Sequence, residues 1–291
     1  AYEIPKRDWS SDVCSSDLNF TNINFIAASG NSWYNAFTLA FERRITSGLR
    51  AQVSYAFSKA LSEGDGYASV DRTGSGPGPM RYGHERSVDK SLSGYDVGHK
   101  LSVNYTYQVP SPANWTGALK HAFGGWQLTG IVAIQDGQPF TVNNAAAATP
   151  ATMTANGLTR NPSVVSGFDK EKIVQGGPDN YFDGNAFYLP TGDCAAGRSC
   201  ELGNVGRNTV MGPGLAKWDS SVTKMFSLTE QWKLQFRAEF FNFTNRVNFG
   251  KPNPSIFTLA NNAPLRLTSA GRISTTVVDS RQIQFGLKLT F

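Results

Sequence analysis

The chain has 291 residues, of which 40% are hydrophobic and 17% charged, against roughly 25% charged residues in ordinary soluble proteins. The mean hydropathy is −0.31. No segment approaches the ~20 consecutive apolar residues of a spanning helix, which excludes a helical membrane protein. The net charge of +5 is scattered along the chain, whereas nucleic-acid-binding proteins concentrate positive charge in a stripe or patch. We therefore expect no nucleic-acid partner.

The beginning of the chain carries a segment that looks foreign to any fold. Residues 8–18, DWSSDVCSSDL, resemble the conceptual translation of a sequencing-library adapter. We therefore expect residues 1–18 to be an adapter-derived artefact or unstructured, and residues 19–291 to contain the natural fold. The first residues also lack the charged segment and apolar run of a signal peptide, and we expect the chain to be a fragment of a longer protein.

Period-two alternation, in which successive side chains lie on opposite faces of a strand, is the strongest pattern. In chain order it occurs in seven segments: 37–41, 49–57, 101–109, 126–134, 218–226, 232–240 and 283–291. All but the first are nine residues long, which suits a tilted strand that crosses a bilayer. Strands of soluble domains are usually nearer five or six residues. The pattern predicts transmembrane strands and disfavours a soluble β-sandwich.

The connections between these segments alternate in length. Residues 45–47 and 227–230 are tight turns and residues 110–124 a moderate one, whereas residues 60–97, 137–216 and 245–280 are long and rich in Gly, Pro, Asn and Ser. Outer-membrane barrels have short periplasmic turns and longer extracellular loops. The fold class predicted is therefore all-β, an antiparallel transmembrane barrel whose chain ends on the periplasmic side.

One face of the predicted strands is polar and would line the lumen of the barrel. The candidates for lumen-facing residues are Arg50, Gln52, Lys233, Gln235, Arg237, Glu239 and Lys288. Lys224 departs from the pattern, because it has the same parity as Trp218 and Phe226. Its position close to a turn should keep the cost of a lipid-facing charge small. Aromatic residues near the strand ends, Trp126 and Trp232 among them, fit girdles at the two bilayer interfaces.

Cysteine and histidine residues provide little evidence of chemistry. Cys194 and Cys200 flank a short polar segment, which favours a disulfide over a metal-binding pair because no further Cys or His lies nearby. His84, His99 and His121 are isolated and lack the spacing of metal ligands. No nucleophile elbow or phosphate-binding loop is present. We therefore expect no enzymatic activity, no metal and no cofactor.

The last segment also predicts a function. Ile283, Phe285, Leu287, Leu289 and Phe291 are apolar at every second position, and the final aromatic residue ends the chain. This pattern resembles the C-terminal recognition signal of outer-membrane barrels, which the barrel-assembly machinery is expected to read by pairing with the strand edge. The alternative is a strand that merely happens to end the chain.

Several strings in a fixed order resemble the C-terminal barrel of TonB-dependent outer-membrane receptors, in particular the Oar-like group. They include NSWYNAFTLAFERR (31–44), YDVGHKLSVNYTYQVP (95–110), GGWQLTGIVAIQDGQPFTV (124–142), LQFRAEFFNFTNRVNFGKPNP (234–254) and RQIQFGLKLTF (281–291). The resemblance covers most of residues 31–291. Transporters of this kind have barrels of about 22 strands with a plugged lumen. The resemblance therefore implies that this chain is part of a large antiparallel barrel and contains about seven or eight of its strands.

The resemblance implies a transport receptor in the bacterial outer membrane. The intact parent would bind a solute at the cell surface and admit it when TonB rearranges the plug, and the TonB-contacting segment would lie upstream of this chain. The expected partners are therefore outer-membrane lipid, the barrel-assembly machinery, TonB and a solute of unknown identity. A passive porin, a structural or adhesion barrel and a soluble β-sandwich remain as alternatives.

Overall fold

A computed structural model describes residues 30–44, 48–64, 90–111, 117, 122–144, 154–155, 158–159, 162–167, 172–190, 203–260 and 263–291. The chain divides into two units, Ala1–Gly30 and Asn31–Phe291, and the architecture below is that of the second. Among the described residues, no helix combines the length and the apolar character needed to cross a bilayer.

Seven long strands dominate the described part of the chain. They are β1 (Ser32–Arg44), β2 (Leu49–Ser62), β3 (His99–Gln108), β4 (Trp126–Gln135), β5 (Leu215–Ser227), β6 (Lys233–Phe241) and β7 (Gln282–Thr290). Aromatic and β-branched residues alternate with polar ones in most of them, as suits a pleated surface with two different faces. All seven segments with period-two alternation are thus confirmed as strands. The strands extend beyond the segments at some ends, whereas Val109, Trp232 and Phe291 lie just outside them.

The seven strands form one antiparallel meander in which each pairs with the next in sequence. A short strand, Ser91–Leu92, adds a local antiparallel pairing to the end of β2. The register carries the alternation of each strand onto its neighbour. Leu39 faces Tyr55, Tyr55 faces Leu101, and Leu101 faces Ile134. The sheet therefore has one continuous face rich in apolar side chains and one continuous polar face.

β1 and β7 are the two edges of this sheet. In the part of the chain that the structure describes, neither strand has a second long neighbour, and the two do not pair with each other. The side chains of both strands are exposed along their whole length. Closure of a barrel by these seven strands is therefore not observed.

The connections at the two ends of the sheet differ as the sequence predicts. Between β5 and β6 the chain turns within a few residues, where the amides of Leu228 and Thr229 both donate to the carbonyl oxygen of Trp232. The connection between β3 and β4 is of moderate length and only partly described, and residues 45–47 lie outside the described residues. We call this end of the sheet the short-turn end and the opposite one the long-loop end.

The long connections contain further regular structure. The short strands in them are Pro139–Phe140, Asn143–Asn144, Thr154–Ala155, Leu158–Thr159, Ser163–Val164, Phe187–Tyr188, Val210–Met211, Ser255–Ala260 and Ala263–Arg266, with a 3-10 helix at Gly184–Ala186. Ser255–Ala260 pairs with both Ala263–Arg266 and Asn143–Asn144. The connection before β5 is therefore tied to the connection before β7 by main-chain hydrogen bonds.

The hydrophobic core lies in these connections and not in the long strands. We call it the loop core: Phe140, Val142, Ile173, Tyr181, Phe182, Ala186, Phe187, Leu189, Val205, Val210, Ile256, Phe257 and Ile273. Phe182 is completely buried and packs against Phe140 and Phe187, with ring centroids about 6 Å apart. Residues 137–216 and 245–280, predicted as long loops, therefore also contain a packed core.

Close contact between two main-chain segments joins the loop core to the sheet. A Cβ atom on Gly137 would lie 1.8 Å from the carbonyl oxygen of Gly212, and one on Gly214 would lie 2.8 Å from that of Gln135. Only glycine permits this approach. The sequence Gly212-Pro213-Gly214 occupies this position just before β5.

Candidate functional site

The polar face of the sheet is the candidate functional site, and the register shows how its rows are built. One row crosses the sheet from Arg50 through Thr106, Thr129, Ser221 and Glu239 to Gln284. Gln52, Asn104, Ile131 and Asp219 form the adjacent row. Residues far apart in sequence thus present hydroxyl, amide and charged groups on a single surface.

The predicted lumen-facing residues all have the parity of this polar face. Arg50 and Gln52 lie on β2 beside Thr106 and Asn104. At the other side of the sheet, Gln235 is opposite Lys288 and Lys233 is opposite Thr290. Arg237 and Glu239 lie between them on β6. These residues share a face, while their exposure to a barrel lumen remains a prediction.

A concavity of about 460 Å³ occupies the middle of the polar face. Its lining residues come from β2 to β6 and are Arg50, Gln52, Asn104, Tyr105, Thr106, Thr129, Gly130, Ile131, Asp219, Ser220, Ser221, Glu239, Phe240 and Phe241. Arg50, Gln52 and Glu239 are among the residues predicted from the sequence to face the lumen. The other lining residues could not be assigned to this site from the sequence, because only the pairing register places them next to these three.

The three charged residues of the concavity each have a partner of opposite charge on the same face. Arg50 Nη2 lies 2.9 Å from Glu42 Oε1, and Asp219 Oδ2 lies 2.7 Å from Lys217 Nζ. Glu239 Oε1 lies 3.3 Å from Arg237 Nη1. Such exposed pairs add little to stability, but they leave the concavity without an unpaired charge.

The neutral polar residues of the concavity differ from one another in their hydrogen bonding. Thr129 Oγ1 and Ser221 Oγ are 2.6 Å apart and hydrogen-bonded to each other. Gln52 and Asn104 are exposed. Neither of these two side chains has a hydrogen bond to any part of the chain that the structure describes. Their amide groups remain free to donate to and accept from a bound molecule.

Two apolar side chains interrupt the polar face within the concavity. Ile131 is 55% exposed although it lies between Asn104 and Asp219 in the register. Phe241, at the end of β6, is also exposed. Because both apolar side chains are exposed on a mainly polar face, these two residues are candidates for contact with a ligand.

The opposite face contains a small polar cluster among apolar side chains. The indole nitrogen of Trp218 donates to the hydroxyl oxygen of Tyr105 at 3.1 Å, and that hydroxyl is 3.3 Å from Ser220 Oγ. The Tyr105 ring lies across Gly130, where a Cβ atom would come within 2.4 Å of it. Glycine at position 130 therefore creates the space for the tyrosine ring.

Lys224, predicted to lie on the apolar face near a turn, is satisfied locally. Its ammonium nitrogen donates to the carbonyl oxygen of Ala122 at 2.8 Å. It also lies 5.1 Å from the centre of the Trp126 ring and 4.9 Å from that of Phe226. Both the hydrogen bond and the aromatic rings offset the removal of this charge from water.

The predicted assembly signal forms the exposed edge strand. Ile283, Phe285, Leu287 and Leu289 are all exposed on the apolar face. Phe291 is 86% exposed and its ring centre lies 5.2 Å from that of Trp232. The arrangement puts the terminal aromatic residue at the short-turn end. Its role in assembly stays a prediction.

Of the remaining candidate residues, only some are among those that the structure describes. Cys194 and Cys200 lie outside the described residues, as do His84 and His121, so the predicted disulfide stays a prediction. His99 is described, and its Nδ1 atom is hydrogen-bonded to the Tyr55 hydroxyl at 2.7 Å. In the described ranges no three His, Cys, Asp or Glu side chains are grouped as metal ligands would be.

The comparisons with known proteins agree with this architecture at the level of the family. Residues 9–284 match the family described as outer membrane beta barrel domain. Comparison with curated proteins gave no significant match, and comparison with solved structures gave none either. The family match covers most of the chain and the sheet has the alternating faces of a barrel wall. The chain therefore belongs to the outer membrane beta-barrel domain family, whose place is the bacterial outer membrane.

Proposed function

We propose that the chain is part of the barrel wall of a TonB-dependent, Oar-like transport receptor that binds a solute at the cell surface and admits it through a plugged lumen. The observation that carries the proposal is the seven-stranded wall, in which β1 and β7 have no second long neighbour in the part of the chain that the structure describes. Such a wall fits a barrel with many strands better than one with few, because each strand pairs with the next in sequence and the first does not pair with the last. The ordered strings that resemble the family support the same conclusion.

The two ends of the sheet support an orientation. Short turns face the periplasm and long loops face the outside in such barrels. The loop core at the long-loop end would then be extracellular, and the chain would end at the periplasmic side. A packed core gives these connections a defined shape, which a surface for selecting a solute requires. Solute selection would fall to residues 60–97, 137–216 and 245–280 and to the polar face.

The partners follow from this role. Outer-membrane lipid would contact the apolar face, the assembly machinery would read β7, and TonB would rearrange the plug. We expect neither catalysis nor nucleic-acid binding from it. A passive, porin-like channel is the alternative, because it shares the alternating strands. A structural or adhesion barrel is a further alternative.

Conductance of the intact parent protein in a planar bilayer distinguishes the first two functions. A plugged receptor should conduct little until urea loosens the plug, and conductance should then rise reversibly. A porin should show a steady open state without urea. A steady open state would contradict the proposal.

Capture of the detergent-solubilised parent by the immobilised periplasmic domain of TonB from the same organism is the second test. A parent lacking its N-terminal segment serves as control. Specific capture of the intact protein alone is expected, whereas equal capture of both forms, or of neither, would count against TonB dependence.

A further inference from the structure

We infer that the concavity on the polar face binds a neutral, polyhydroxylated solute of the oligosaccharide class. The inference rests on the proposed transport function and names the class of solute that this surface suits. Charge is the property by which a lumen wall most readily selects or rejects a solute.

Each charged residue that lines the concavity already has a partner of opposite charge within the wall. Arg50, Asp219 and Glu239 are the charged residues that line it, and each is within 3.3 Å of an opposite charge on the same face. An anionic solute would have to compete with Glu42 for Arg50, and a cationic one with Lys217 for Asp219. Neither kind of charged solute gains what it would gain from an unpaired partner.

The groups that remain available are neutral and can both donate and accept. The amides of Gln52 and Asn104 lie opposite each other in the register of β2 and β3. Both are exposed and without a side-chain hydrogen bond in the described part of the chain. Sugar hydroxyls are also donors and acceptors at once, so they match neutral amides better than they match a single charge.

The apolar residues complete the match. A sugar ring has apolar C–H faces as well as hydroxyl edges, and a binding surface for it needs apolar contacts between its polar groups. Ile131 and Phe241 supply such contacts within the same concavity. Both are exposed on an otherwise polar face, and contact with the face of a sugar ring would give both residues a function.

The first test is isothermal titration of the detergent-solubilised intact parent with hexasaccharides. The neutral panel is maltohexaose, cellohexaose, xylohexaose and mannohexaose. Hexagalacturonate is the anionic probe and hexaglucosamine the cationic one. At least one neutral probe should bind at least tenfold more tightly than both charged ones. Failure of the whole neutral panel to bind, or tighter binding of a charged probe, would overturn the inference.

Variants locate the site. The double variant Gln52→Ala/Asn104→Ala should weaken the binding of the neutral probe about tenfold or more, the effect of losing hydrogen bonds worth about 1 kcal/mol each. Ser54→Ala/Ser102→Ala is the matched control, since these residues pair on the same two strands and the same face outside the concavity. Equal weakening of binding in the two double variants, or no weakening in either, would overturn the assignment of the site. Heat-modifiability on gels checks folding.

A charge variant tests the electrostatic step by a gain of binding. Glu42→Gln removes the partner of Arg50 without changing the concavity itself. Hexagalacturonate should then bind roughly three- to tenfold more tightly at low salt, and the gain should vanish at high salt. The neutral probe should be unaffected. Absence of the gain would overturn the claim that paired charges set the selectivity. Conductance and TonB capture report on the transport role independently of these titrations.

Discussion

The ammonium nitrogen of Lys224 lies 2.8 Å from the carbonyl oxygen of Ala122 and donates a hydrogen bond to it. The indole nitrogen of Trp126 donates to the same oxygen at 3.0 Å. One carbonyl group just before β4 therefore accepts from two side chains of the apolar face. Lys224, which has the parity of the apolar face, is thus bound to the chain segment that leads into this strand.

The first prediction concerns this shared acceptor. Lys224→Ala should lower the free energy of unfolding of the membrane-embedded parent by about 1–2 kcal/mol, because a charge-assisted hydrogen bond is lost while Trp126 still satisfies the oxygen. The double variant Lys224→Ala/Trp126→Phe leaves the Ala122 oxygen without either donor and should cost more than the two single changes together. Urea unfolding in lipid vesicles measures both.

Lys233→Ala is the control for Lys224, since it removes a lysine from the polar face of the neighbouring strand. It should leave stability almost unchanged, because exposed surface residues rarely contribute more than about 0.5 kcal/mol. Strictly additive effects of Lys224→Ala and Trp126→Phe would show that the two donors do not share an acceptor.

The second prediction concerns Gly130, over which the Tyr105 ring lies. Gly130→Ala should destabilise the folded barrel by about 1–3 kcal/mol, the usual cost of overpacking. The added methyl group would push the Tyr105 hydroxyl away from Trp218 and Ser220. The urea midpoint and the Trp fluorescence of the intact protein report the two effects.

Gly286 provides the matched control, because it is also a glycine within a strand of the same sheet and has no atom within 4 Å of an added Cβ. Gly286→Ala should be neutral or slightly stabilising, since it lowers the entropy of the unfolded chain. If Gly130→Ala behaved like Gly286→Ala, the close approach of Tyr105 would be refuted.

The sequence predicted the sheet better than it predicted the rest, for a physical reason. Strand alternation is local, so each strand could be read from its own residues. The Tyr105–Gly130 contact and the position of Ile131 depend on register between strands. The loop core is a third case. Its residues Phe140, Phe182 and Ile256 come from distant segments that have no periodic pattern of apolar residues. The Gly- and Pro-rich composition of these segments predicted only long loops. Local patterns contain no information about such packing.

The third prediction concerns the loop core. Phe182→Ala should cost about 3–5 kcal/mol within the connections, as expected for a fully buried aromatic residue. The sheet has no share in this core, so we expect the barrel to stay folded while the connections become sensitive to protease. Limited proteolysis of whole cells, with heat-modifiability as a measure of the barrel, separates the two. Tyr188→Ala, at an exposed position next to the buried Phe187, should leave proteolysis unchanged.

The fourth prediction is a pH dependence. Burial raises the pKa of Tyr181, a member of the loop core, above its usual value of 10.0. The neutral phenol is therefore favoured in the folded state, and its contribution to stability is complete below pH 10. That contribution is lost as the pH rises from the unfolded pKa through the raised folded one. Proteolysis of the connections should accelerate over this range, and Tyr181→Phe should reduce the acceleration. An identical profile in the variant would contradict the assignment.

The last prediction concerns Phe291 and separates two roles of its ring. If the terminal aromatic residue is read by the assembly machinery, deleting Phe291 from the intact parent should strongly lower the amount of folded protein in the outer membrane. Its contact with Trp232 offers a competing explanation, because the loss of an aromatic pair alone costs about 0.5–1.5 kcal/mol.

Trp232→Ala removes the same contact but leaves Phe291 in place. Assembly should therefore survive Trp232→Ala and fail without Phe291, as measured by heat-modifiable protein in isolated outer membranes. Equal defects in the two variants would mean that Phe291 acts through the ring contact, and normal assembly without Phe291 would mean that the last strand carries no such signal.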